Sequence, residues 1–123
     1  MAREALFVYG SLKRGERHHD ELRGATFLGQ AWTEPGYAIA PGLGEYLAMV
    51  RVSRGSSAHH ETPELPRVQG ELFEIDASLI PALDAFEGEE YRREVVQVSC
   101  GAIPAGGGSE PWRLALAYLG KPR

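Results

Sequence analysis

The stretch Trp112-Arg113-Leu114-Ala115-Leu116-Ala117-Tyr118 alternates large and small side chains with a period of two. Successive side chains of a strand point to opposite faces. The period therefore predicts a strand whose packed face is that of Trp112, Leu114, Leu116 and Tyr118. Six further segments belong with it: Ala5 to Tyr9, Ala25 to Thr33, Tyr37 to Ala40, the apolar-rich Glu45 to Val52, Val68 to Ile75, and Tyr91 to Val98. Pro35-Gly36 and Pro41-Gly42 supply turns between the middle ones. One segment has a different period. Leu79, Ile80, Leu83 and Phe86 fall on a single helical face. Ser78 is placed to cap that helix, Pro81 lies in its tolerant first turn, and Gly88 ends it. His18 to Leu22 reads as one turn of helix at most.

Many short strands with one clear helix predict an α+β fold. The specific expectation is a small mixed β-barrel of about six or seven strands with one or two flanking helices. The 15 glycines and 8 prolines suit such a turn-rich chain. Residues 53–66 are polar and rich in structure breakers. They read as a surface loop and not a linker, because the pieces on either side are too small to fold well alone. The whole of 1–123 is expected to be one domain.

Composition narrows the function classes. There are 13 Lys and Arg against 17 Asp and Glu, giving a net charge of −4. Nucleic-acid binding needs a basic surface to displace counterions from phosphate, so none is expected. No stretch approaches the ~18 apolar residues of a membrane span. No basic-then-apolar secretory leader is seen, and the single Cys100 pairs with nothing inside the chain. A cytoplasmic protein acting on a small molecule is the expectation. Cys100 lacks a base that would make it a nucleophile, and Ser11 lacks the Gly-x-Ser-x-Gly setting of a hydrolase elbow. His18-His19 and His59-His60 are adjacent pairs whose members diverge on a strand, so no metal or cofactor is expected.

Two places carry chemistry. The first is Tyr9-Gly10-Ser11-Leu12, directly after the apolar run Ala5-Leu6-Phe7-Val8. A buried strand that stops at Gly-Ser can offer bare backbone N–H groups to a ligand, and Gly lets that ligand come close. The alternative is a plain turn. The second is Leu83-Asp84-Ala85-Phe86-Glu87-Gly88-Glu89-Glu90-Tyr91, with four carboxylates in seven residues. Asp84 and Glu87 are one helical turn apart. Like charge, the helix C-terminus and the apolar Leu83 and Phe86 each push a carboxylate pKa upward, as a general base and acid near neutrality requires. The alternative is an acidic, solvated helix end, the reading preferred for Glu89 and Glu90.

Together these places resemble the gamma-glutamylcyclotransferase-like family, above all its short members, which are similar to gamma-glutamylamine cyclotransferases. The resemblance rests on Tyr-Gly-Ser-Leu followed by Lys-Arg-Gly, and on Leu-Asp-x-Phe-Glu-Gly before a Tyr-x-Arg strand. Phe27-Leu28-Gly29, Gly44-Glu45-Tyr46, Val68-x-Gly70-Glu71-Leu72 and Ala117-Tyr118 add to it. It implies a small barrel with a cavity at its mouth. It also implies that Tyr9, Gly10, Ser11 and Leu12 hold the gamma-glutamyl group and that Glu87 is the acid/base. Tyr91 either reaches that site or packs on the barrel. Tyr118 is expected in the core, with its hydroxyl able to reach the cavity. The implied reaction releases 5-oxoproline and an amine without metal or cofactor. The rival reading is a non-catalytic barrel that binds a small amino-acid-like ligand.

Overall fold

Strand β1, Arg3–Val8, ends in three consecutive buried residues, Leu6, Phe7 and Val8. Neighbouring side chains on a strand diverge, so such a run is stable only when both faces are covered. The computed structural model, which describes residues 2–10, 12–41, 47–52, 65–100 and 112–120, shows what covers them.

The other strands are β2 (Thr26–Thr33), β3 (Tyr37–Pro41), β4 (Leu47–Arg51), β5 (Gln69–Asp76), β6 (Tyr91–Cys100) and β7 (Arg113–Gly120). They form one mixed sheet in the order β1-β5-β2-β6-β7-β4-β3. All neighbours from β1 through to β7 are antiparallel. The sheet then returns on itself, because β7 pairs in parallel with β1 at Leu6 and Leu116. Five strands thus make a ring. The β3–β4 hairpin extends from the same edge of β7, joined in parallel at Met49 and Leu119. The fold is α+β with a ring-like sheet, as the strand pattern predicts.

Two apolar clusters lie on the two sides of β1. Phe7 packs inside the ring with Met49, Leu72, Val96, Val98, Ala115, Ala117 and Leu119. Leu6 and Val8 face outward onto Leu12, Leu22, Phe73, Ile75, Leu83 and Tyr118. Here the expected polarity of β7 is reversed at its start. Leu114 is 64% exposed, whereas Ala115 and Ala117 are buried in the ring. The interior of a five-strand ring is narrow, and with Phe7 and Leu72 already inside, β7 contributes the small Ala115 and Ala117 there, with Leu119 near its end. Its larger residues, Leu116 and Tyr118, pack outside under the helix.

That helix is α1, Ile80–Glu87, preceded by a 3₁₀ turn over Ala77–Leu79. The cap differs from expectation. Asp76, not Ser78, caps the turn, its side chain accepting from the Ser78 N–H at 2.9 Å. Pro81 lies in the first turn as expected, and Gly88 closes the helix at φ 80°, donating its N–H to the Asp84 carbonyl. Gly supports this left-handed φ without a Cβ clash. A second 3₁₀ turn, His19–Leu22, replaces the expected helical turn near residue 20.

Ser11, Gly44-Glu45-Tyr46, His59-His60, residues 53–64 and residues 101–111 lie outside the described residues. Among the described residues, no helix is long and apolar enough to cross a membrane. Nor do three His, Cys, Asp or Glu side chains gather there as a metal site would need. Cys100 is exposed at the end of β6.

Candidate active site

The chain leaves β1 at Tyr9 and enters a series of turns. Lys13 donates its N–H to the Gly10 carbonyl, Glu16 to Lys13, and His19 to Glu16. This loop is fixed at several points. Leu12 and Leu22 are buried in the outer cluster. The Arg14 N–H donates to Glu71 Oε1 at 2.7 Å, and its guanidinium pairs with Glu71 Oε2 at 3.4 Å. The same guanidinium lies over the Phe27 ring. The His19 ring meets the Leu12 carbonyl at 2.9 Å.

Between this loop and the end of α1 lies a pocket of about 450 Å³ at the rim of the ring. Its floor is Phe7, Val8, Tyr9 and Gly10 from the end of β1. Leu12, Lys13, Glu16, Arg17 and His18 form the loop wall. Phe86 and Glu87 form the helix wall, with Tyr91 from β6 and Tyr118 from β7 beside them. The two walls touch where the His18 ring meets Phe86 edge-on at 5.0 Å. The size and the mixed apolar and charged lining suit a small polar metabolite.

Of the residues singled out from sequence, Tyr9, Gly10, Leu12, Glu87 and Tyr91 all line this one pocket. Ser11 lies outside the described residues. Tyr91 opens β6 and is half-buried, so it borders the pocket and packs on the sheet together. Gly10 departs from expectation in one respect. Its φ is not left-handed, and among the described residues nothing beyond its chain neighbours lies within 4 Å of where a Cβ would stand. The turn itself does not require glycine there. Lys13, Glu16, Arg17 and His18 were not foreseen as lining. They lie on irregular loop, where no periodicity tells inward from outward.

Electrostatics separate the two helix carboxylates. Glu87 is largely withdrawn from water, and burial pushes its pKa from 4.5 to about 7. Burial is the cause of that rise. Asp84, one turn earlier, is held below the usual carboxylate range, first by a hydrogen bond from the Tyr118 hydroxyl and then by Arg93. Glu89 and Glu90 are exposed, as expected. Tyr9 donates its hydroxyl to the Tyr118 carbonyl at 2.5 Å. Burial, with the nearby Glu87 and Tyr91, raises its pKa well above the ordinary phenol range, so the hydroxyl keeps its proton.

Residues 6–122 match the family model described as gamma-glutamyl cyclotransferase, AIG2-like. The chain belongs to this family of gamma-glutamylcyclotransferase-type enzymes. A Vibrio cholerae protein provisionally named gamma-glutamylcyclotransferase is 34% identical over 98 residues, covering 78% of this chain and 74% of that one. The gamma-glutamylaminecyclotransferase of Homo sapiens is 30% identical over 115 residues, covering 86% of this chain and 69% of the human one. In fold, the chain is similar to the crystal structure of an AIG2-like protein from Mus musculus, with a TM-score of 0.70 at 23% identity, over 97% of this chain and 78% of the mouse chain. Family and ring architecture thus agree with the resemblance carried by Tyr9–Leu12 and Leu83–Gly88.

Proposed function

We propose that this member of the family converts a gamma-glutamyl amide to 5-oxoproline and a free amine or amino acid, with Glu87 as general acid and base. The observation that carries the reading is Glu87 itself. It is a carboxylate in the wall of a 450 Å³ pocket with its pKa raised to about 7. Such a group can accept and then return a proton at neutral pH, which an ordinary carboxylate does poorly.

The substrate carries an α-ammonium, an α-carboxylate and a γ-amide. Loop N–H groups from Gly10 onward, with Lys13 and Arg17 in the same wall, suit the α-carboxylate. Glu87 takes a proton from the α-ammonium. The freed amine attacks the γ-carbonyl carbon, and a five-membered ring closes as the bond to the leaving nitrogen breaks. The ammonium began with three protons and the ring nitrogen keeps one. The other two end on the departing amine, one of them delivered by Glu87. Holding the substrate folded for ring closure supplies much of the rate, since effective molarities reach ~10⁵ M or more in such cyclisations.

The test is direct. The protein is incubated with a panel of gamma-glutamyl amino acids and gamma-glutamyl amines, and 5-oxoproline is assayed. Release that is abolished by Glu87→Gln supports the assignment. Parent-like turnover by Glu87→Gln would remove Glu87 from the chemistry. Ligand binding without any 5-oxoproline would favour the non-catalytic reading.

A further inference from the structure

Helix α1 carries Glu87 on its last residue, yet it has only two turns. A helix this short has little stability of its own, so its orientation depends on what grips it. Leu83 holds one face in the outer cluster. The other grip is polar. Arg93 on β6 and Tyr118 on β7 are direct cross-strand partners, so their side chains emerge side by side from the outer face of the sheet. Between them they take both oxygens of Asp84. The Tyr118 hydroxyl donates to Oδ1 at 2.6 Å, and the Arg93 guanidinium donates to Oδ2. A hydroxyl and a guanidinium on one ionised carboxylate are charge-assisted bonds, with fixed geometry.

Tyr118 has a second attachment. Its backbone carbonyl accepts the Tyr9 hydroxyl, on the pocket floor. We infer that Tyr118 is the positioning residue of the site: its carbonyl fixes Tyr9, and its hydroxyl, through Asp84, fixes the helix end that presents Glu87. One residue thereby sets the spacing between pocket floor and helix wall. The inference rests on the proposed role of Glu87 for its consequence in catalysis, but its geometry is independent of any substrate.

With Asp84 released, the last turn of α1 loosens and water reaches Glu87. The groups facing Glu87 across the pocket are Tyr9, Tyr91 and Tyr118 from the strands, and Lys13, Glu16, Arg17 and His18 from the loop. Tyr9 and Tyr118 keep their protons through neutrality, and the loop carries both signs of charge. Hydration is therefore the main variable, and it moves the Glu87 midpoint down from about 7 toward 4.5.

The experiment titrates the Glu87 side-chain carboxyl by ¹³C NMR in the parent, Tyr118→Phe, Asp84→Ala and Asp84→Asn, alongside 5-oxoproline release. Tyr118→Phe and Asp84→Ala are expected to lower the midpoint by about one pH unit or more. Their double variant should shift it no further than Asp84→Ala alone, because Asp84→Ala already removes the partner of the Tyr118 hydroxyl. Asp84→Asn keeps an oxygen for the Tyr118 hydroxyl and should stay nearer the parent. Where the parent turns over substrate, kcat should fall about tenfold with KM little changed. A parent-like midpoint in folded Tyr118→Phe or Asp84→Ala would overturn the inference. If Tyr118→Phe does not fold, Asp84→Ala decides alone, since its side chain is exposed. An inactive parent with a shifted midpoint would sink the proposed function and leave the positioning role standing.

Discussion

Asp84 and Glu87 stand one turn apart on the same short helix, and their carboxylates are driven in opposite directions. Asp84 is exposed and gripped by Tyr118 and Arg93, and its pKa is lowered. Glu87 turns into the pocket and is raised to about 7 by burial. Two carboxylates whose environments pull them apart have different tasks. On the proposed reading, one holds the helix and the other transfers the proton.

The rate should follow the ionisation of Glu87. As general base it must be deprotonated, so kcat/KM for 5-oxoproline release should rise with pH and level off above about 7. A profile with no inflection between about pH 5 and 8 would contradict that role.

The same group should leave a mark on stability. Its folded pKa of about 7 lies above its unfolded value near 4.5, so the folded state favours the protonated form. The stabilisation linked to that proton is fully present below the unfolded pKa and is lost as pH rises through the folded pKa. Glu87→Gln mimics the protonated form at all pH values. Its melting temperature should match the parent below about pH 4.5, exceed it increasingly between about pH 4.5 and 7, and keep a constant margin above that. Parallel melting curves across that window would show that Glu87 is not desolvated.

Gly10 separates folding from ligand recognition. Among the described residues a Cβ there meets nothing beyond its chain neighbours, and the backbone is not left-handed. Gly10→Val should therefore change the melting temperature little, while crowding the pocket floor and raising KM. An unchanged KM would mean that the ligand does not approach this wall.

Gly70 should behave oppositely. A Cβ on Gly70 would stand 2.2 Å from the Val8 carbonyl oxygen and 2.8 Å from the Phe7 ring. The Val8 contact is with backbone, so β1 itself must move. Gly70→Ala should cost roughly 1–3 kcal/mol or more, read by denaturant unfolding. Parent-like stability would show that β1 and β5 have more room than their pairing indicates.

The two faces of β7 offer a further check. Ala117 is fully buried inside the ring, and Leu114 is 64% exposed. Ala117→Leu should destabilise by about 1–3 kcal/mol through overpacking. Leu114→Thr should stay within about 0.5 kcal/mol of the parent. Chemical denaturation of both distinguishes this arrangement from the one that side-chain size alone suggests.

The approximate number of strands and the single helix were legible because period and turn residues are local properties, and the pairing of loop with carboxylate came from the family resemblance. The direction of β7 was not. Size alternation marks two faces, but which face is inner depends on how tightly five strands close, and that is a property of the ring. The cap was ambiguous for a simpler reason. Asp76 and Ser78 are both capping residue types, two positions apart, and only the 3₁₀ start at Ala77 selects Asp76. Glu16, Arg17 and His18 stayed hidden because turns carry no repeating signal. Tyr118 was legible as a core residue whose hydroxyl could reach the cavity. Its bond to Asp84 links positions 34 apart in sequence, and no local pattern records that.

The loop from Leu12 to His18 is pinned through Leu12 to the outer cluster and through Arg14 to Glu71 and Phe27. Its remaining side chains, Lys13, Glu16, Arg17 and His18, project into the wall without belonging to either apolar cluster. Pocket wall and scaffold thus draw largely on different residues of one short segment. On the proposed reading, a library randomised at those four positions would vary how tightly the substrate is held, while leaving both apolar clusters and the grip on Asp84 in place.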